Sequence, residues 1–370
     1  MLGWLIILSV VGCQLPENGQ QIAYIGWDAA DRKQIFLTDQ SATPPRQLTD
    51  SLQDISGFAV SPDGEQIVYT VQLDNGSELW RLGLGRLFTS PKIILTCPNA
   101  ICSQPIWAAD GQRLIYEKRP LLNEYEERGS PSLHWLDVES GTTATVQEEA
   151  GSPTHSARFS PDGNWISYVS PADEGVIAYH FDNGSRPFEG ASRFLTIPSL
   201  IGSPAAWHPA SNQLVVADLN NTIQHGEEGD DHQSHAHDVS PAINLFMTNL
   251  ETEERTLLTK ATGVDDGTAV ISPMGEWIAF GRKPNQTATG RQIWLIRPDG
   301  SDVHALTNEL LVHFGSLGWS DNGHTILFQR FDSGSASRPN HPSIHIIDIT
   351  TNAITNIAPA GFHPIWIPNS

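Results

Sequence analysis

The sequence predicts an all-β fold, a seven-bladed β-propeller of four-stranded antiparallel blades, and three observations carry that expectation. A unit of apolar residue, tight turn and alternating apolar stretch recurs along the 370 residues. Its copies are spaced close to the length of one four-stranded propeller blade. The two ends of the chain each hold one half of a further copy.

The copies are "AVSPDGEQIVYT" from Ala59, "IWAADGQRLIYE" from Ile106, "RFSPDGNWISYV" from Arg158, "AWHPASNQLVVA" from Ala206, "VISPMGEWIAFG" from Val270 and "GWSDNGHTILFQ" from Gly318. Their turns fall at Gly64, Gly111, Gly163, Ser211, Gly275 and Gly323, at intervals of 47, 52, 48, 64 and 48 residues. In Pro-Asp-Gly and its variants Pro presets φ and Gly admits positive φ, so each copy reads as two short strands around a tight turn. Alternation after the turn, as in Ile67 and Tyr69 or Ile278 and Phe280, gives one strand face to the core. Third strands are expected in "SELWRLGL", "PSLHWLDVESG", "INLFMTNLE", "RQIWLIRPDG" and "PSIHIIDITTN", and short fourth strands end at Leu258-Thr259 and Leu306-Thr307.

The chain ends supply the seventh copy. "NGQQIAYIG" from Asn18 reads as a second half, with its turn at Gly19, and "PIWIPNS" reads as a first half. Trp366 then takes the place held elsewhere by Trp107, Phe159, Trp207 and Trp319. The C-terminal strand is therefore expected to complete the first blade, whose other three strands are N-terminal. Closure of this kind removes open sheet edges.

These units resemble TolB-type, WD40-like propeller repeats, with the pattern FSPDG-x-x-I-A-Y … I-Y-x-x-D … L-T, over nearly all of residues 18–370. The resemblance implies the fold and says little of function. TolB carries an extra N-terminal α/β domain, which is not expected between Cys13 and Ile22, and its propeller is usually six-bladed, so a Tol–Pal role is not implied.

The domain reading is a signal peptide over residues 1–12, a lipidated tether over 13–17 and one propeller over 18–370. The opening "MLGWLIILSVVG" is apolar and shorter than the roughly 20 residues of a membrane-spanning helix. It reads as a signal-peptide core. Val10, Val11 and Gly12 before Cys13 resemble a bacterial lipobox, which implies lipid attachment at Cys13; ordinary secretion is the alternative. Cys97 and Cys102, in "TCPNAIC", are expected to form a structural disulfide, as an exported location favours. The expected location is the bacterial cell envelope, on its periplasmic or extracellular face, with the membrane touched only through the lipid.

Composition narrows the function. With 21 Lys and Arg against 42 Asp and Glu, the formal charge is −21. That disfavours nucleic acid and anionic lipid surfaces and suits a basic partner, a cation or simple solubility. The insertions, "QHGEEGDDHQSHAHDVSP" foremost, fall on the face opposite the first-strand turns, where variable loops on a rigid scaffold place binding. The expectation is a monomeric, non-catalytic binding scaffold for a protein or glycan partner in the envelope. One alternative is a carbohydrate-active lyase or hydrolase using the channel, with His155, His208 and His313 as candidates set against structural roles. A second is metal binding by His225, His232, His235, His237 and Asp238, whose imidazoles and carboxylate suit zinc or another divalent transition metal. No other cofactor is expected. The turn residues Asp63, Asp110 and Asp162 read as local backbone acceptors, and the repeated tryptophans as core packing.

Overall fold

The computed structural model describes residues 19–40, 44–84, 90–122, 128–146, 152–181, 193–220, 241–285, 287–332 and 341–369. Among them lie 28 strands and one 3-10 turn at Pro171–Asp173. No helix of the described residues is long and apolar enough to cross a membrane. The strands alternate buried and exposed positions at their margins, but many second strands are buried on both faces, as in Ile22–Trp27 and Gln213–Asn220. Sheets stacked on both sides by neighbours require that pattern.

The strands pair antiparallel in quartets, numbered here along the chain. Their innermost members are Phe362–Trp366, Ile55–Val60, Ala100–Trp107, His155–Phe159, Ala206–Trp207, Val264–Ile271 and Val312–Trp319 for quartets 1 to 7. Phe362–Trp366 lies against Ile22–Trp27, with Ile22 opposite Trp366 and Ala23 opposite Ile365. The expected closure by the C-terminal strand is therefore present.

The sheet count differs from the expectation of seven separate blades. Five blades stand as sheets of four strands, while quartets 5 and 6 share one sheet of eight. Each half of that sheet remains antiparallel, and the halves meet at a single parallel pair, Ile243 opposite Asp265. The cause is geometric. Val264–Ile271 begins next to the start of Ala242–Asn249, so two backbones that would diverge come within bonding reach at the loop end.

Apolar side chains lie between quartets. Seven buried clusters each join consecutive quartets, from Ile25, Ile35, Ile55 and Ile67 between the first two to Ile22, Tyr24, Leu327 and Trp366 between the last and the first. The last cluster completes a ring. The turn glycines Gly64, Gly163 and Gly275 sit where one quartet presses on the next. Gly64 has φ 69°, and a Cβ there would strike the Pro368 carbonyl oxygen of quartet 1. Both the handedness and the close approach require glycine.

Candidate functional site

The inner strands surround the axis, and their sequences decide what that surface offers. Most carry a register shift midway along. At the shift five non-glycine residues adopt left-handed backbone: Gln104, Ser156, Thr268, Ser316 and His363, with φ between 51° and 58°. Each stands three residues before the apolar residue that leads into the turn. Such conformations cost on the order of 1–2 kcal/mol each and persist where neighbours hold them. The neighbours are visible. Glu117 accepts the Ser156 N–H at 2.8 Å, and Gln329 accepts the His363 N–H at 2.9 Å and the Ser316 hydroxyl at 2.6 Å. Glu117 and Gln329 hold the same repeat position, and each reaches into the next quartet.

A second set of bonds circles the ring nearer the turns. The indole N–H groups of Trp107, Trp207, Trp319 and Trp366 donate to the carbonyls of Ala59, Arg158, Val270 and Gly318, each on the preceding quartet. The expected packing role of these tryptophans holds, and the indole bond adds a direction to it.

Among the described residues, cavities open along this wall and at its turn end. One of about 470 Å³ is lined by the inner strands of quartets 4 to 7, chiefly Pro204, Ala205, Ala269, Val270 and Leu317, with Arg158 at its side. Another, of about 240 Å³, lies between quartets 3 and 4 against Gln104, Glu117, Arg119, His155, Ser156 and Arg158. Arg158 belongs to both. Its side chain is solvent-exposed although protein walls surround it; that enclosure lowers its pKa, and the Glu117 carboxylate acts in the opposite sense. A third cavity of about 170 Å³ opens at the turn end of quartets 3 and 4, where the Arg113 guanidinium lies 5.7 Å from the Trp135 ring.

The sequence candidates separate in space. His155 begins the inner strand of quartet 4, its Nδ1 2.9 Å from the Ser156 hydroxyl. His313 is the second residue of the inner strand of quartet 7, and its Nδ1 accepts the Arg291 N–H at 3.3 Å. Burial lowers its pKa, with Arg291 and Lys283 adding to the effect. His208 lies at the opposite end, where its Nδ1 accepts the Ala210 N–H and its ring rests on Gly275. Burial lowers its pKa too, while the Gly275 backbone opposes the shift. The three histidines therefore form no common centre. Asp63, Asp110 and Asp162 accept local N–H groups from Glu65, Gln112 and Asn164, as expected.

Cys97 and Cys102 are disulfide-bonded, tying the outer strand of quartet 2 to the inner strand of quartet 3. Cys13 and the metal candidates His225, His232, His235, His237 and Asp238 lie outside the described residues. Among the described residues, no three His, Cys, Asp or Glu side chains converge as metal ligands would.

Sequence reading passed over Arg158, although the repeat contained the signal. At the position before the turn-proximal apolar residue the copies read Ala59, Ile106, Arg158, Ala206, Val270, Gly318 and Ile365. Only one of the seven is charged.

This is the fold of a TolB-like, WD40-like propeller. The TolB protein of Acinetobacter baumannii superposes with a TM-score of 0.53 at 16% identity, over 95% of this chain and 67% of that one. A puromycin hydrolase gives a TM-score of 0.65 at 12% identity, over 94% of this chain and 53% of that one, so this chain spans about half of that enzyme. By sequence, an uncharacterized protein of Agrobacterium fabrum is 23% identical over 247 residues, 65% of this chain and 70% of its own length. No family model matches the chain.

Proposed function

We propose that the chain is an exported, lipid-anchored binding propeller that recognises a protein partner through its loop-rich face. Counted by quartets, with the eight-stranded sheet taken as two blades, it is a seven-bladed ring. The observation that carries the reading is the placement of exposed leucines. Leu52, Leu122, Leu200, Leu310 and Leu311 all lie in connections on the loop face, each more than 60% exposed. The longest insertion, between Gln213–Asn220 and Ala242–Asn249, leaves from the same face. Apolar residues over a rigid scaffold, on a chain of charge −21, suit a partner with apolar and basic side chains. Attachment at Cys13 would place the first-strand turns nearest the membrane and this face outward.

A second reading, a carbohydrate-active lyase or hydrolase working in the channel, draws on Glu117, His155 and Arg158 sharing one cavity. Capture from envelope extracts separates the two. A variant with Leu52, Leu200 and Leu310 changed to Asp, unaltered in melting temperature, is expected to lose at least about 10-fold in captured partner. Capture equal to that of the unaltered protein contradicts the binding reading.

A further inference from the structure

We infer that the channel wall at Arg158 is a binding site for a small organic carboxylate with an apolar body. The site is separate from the loop-face surface and does not depend on it. Its first support is the charge pattern: seven equivalent inner-strand positions hold one cation, in a chain of net charge −21. Arg158 is the one charged residue among those seven positions, and a cation set against a cavity rather than on the outer surface is unneeded for solubility.

The second support is that the neighbouring carboxylate is already engaged. One Glu117 oxygen accepts the Ser156 N–H at 2.8 Å, and the other lies 3.5 Å from the Arg119 guanidinium. Arg158 forms no ion pair within 4.0 Å among the described residues. Its hydrogen bond there runs from Nη1 to the Ala157 carbonyl at 2.7 Å. A guanidinium carries five N–H donors in a planar fork, so four remain for a ligand, in a geometry that matches a carboxylate. Arg119 and Arg158 against Glu117, with His155 alongside, leave the site net positive.

The third support is what faces the guanidinium. Pro204, Ala205, Ala269 and Leu317 line the cavity of about 470 Å³ beside it, a size that suits small-molecule ligands. Apolar side chains make up most of the lining, with Thr268 and Ser316 among them, and such walls reward an apolar body more than a fully hydrated anion. The ligand class is therefore a monocarboxylate with a hydrocarbon portion, rather than inorganic phosphate.

Calorimetric titration with hexanoate, hexan-1-ol and inorganic phosphate tests the site on the full chain. Hexanoate is expected to bind saturably, with hexan-1-ol and phosphate each weaker by about 10-fold or more. Arg158→Met is expected to weaken hexanoate by about 10- to 100-fold, the usual loss for a charge-assisted hydrogen-bonded pair. Glu117→Gln keeps the acceptor for Ser156 and removes the opposing charge, so it is expected to tighten hexanoate. Hexanoate bound equally well by Arg158→Met, or hexan-1-ol bound as tightly as hexanoate, overturns the proposal. Phosphate bound as tightly as hexanoate overturns the apolar part, and absence of hexanoate binding at millimolar concentration overturns the whole. Should Arg158→Met fail to fold, the hexan-1-ol and Glu117→Gln comparisons still decide. Partner capture stays unchanged in every arm, which keeps failure here distinct from failure of the loop-face reading.

Discussion

On the turn face, polar side chains answer their own backbone. Asp63, Asp110 and Asp162 accept N–H groups two residues on, and Ser61, Ser160 and Ser320 accept the N–H five residues on. On the loop face, polar groups reach farther. Gln34 binds Thr49 and Ser51 across an inter-quartet connection, Arg330 grips Glu309 through two bonds of 2.7 Å, and buried Arg282 grips Asp266 at 2.7 and 2.8 Å. Local satisfaction makes the turn face repeat, whereas each connection on the loop face has its own solution. A face whose residues are not fixed by repeat geometry is the one free to carry specificity.

Closure spans both faces, so breaking it has the largest expected effect. Trp366→Ala removes a buried indole from the seam between quartets 7 and 1, together with its bond to the Gly318 carbonyl. About 3–5 kcal/mol of stability is expected to go, read as a fall in denaturant midpoint. Deleting residues 361–370 is expected to abolish the cooperative melt, because it removes the whole inner strand of quartet 1.

Next comes the loop face. Asp266→Ala leaves the Arg282 guanidinium buried without its carboxylate, although Phe280 and Trp294 still pack against it. The expected cost is about 3 kcal/mol, since an orphaned buried charge is penalised more than its pairing had stabilised. The corresponding change on the turn face, Asp63→Ala, removes exposed local bonds and is expected to cost only about 1 kcal/mol. Equal losses in the two variants would break the contrast between the faces.

The last effect is conditional on pH. His345, near the loop end of quartet 7, has its pKa pushed down from 6.5 to about 4 by burial, assisted by Arg330 and opposed by Asp332 and Glu309. Its folded pKa lies below the unfolded one, so the unfolded chain takes up the proton first as pH falls. Stability from this group is present above about pH 6.5 and is lost as pH drops through about 4, by up to about 2 kcal/mol. His345→Gln is expected to flatten that stretch of the stability–pH curve. An unchanged slope would show that the group is free to titrate.

The same contrast explains what could be read from residue order. Turn glycines, the tryptophan column and the seam at Trp366 were legible because each rests on neighbours a few residues away or on a repeated column. The merging of quartets 5 and 6 rests on one parallel pair, Ile243 with Asp265, and a single bridge leaves no local pattern. The left-handed residues were hidden for another reason. Gln104, Ser156, Thr268, Ser316 and His363 share no side-chain chemistry, and glycine is the residue that sequence reading expects at positive φ. What holds Ser156 and His363 there comes from Glu117 and Gln329, 39 and 34 residues away. Arg158 was legible in its column, but its meaning needed the cavity beside it.

The central claim is that one face binds and the other does not. A photo-activatable cross-linker placed singly at Leu200 on the loop face, or at Met274 on the turn face, tests it on intact cells; both positions are exposed, at 64% and 74%. The account predicts partner adducts from position 200 and none from 274. Adducts from 274 with none from 200 would contradict it.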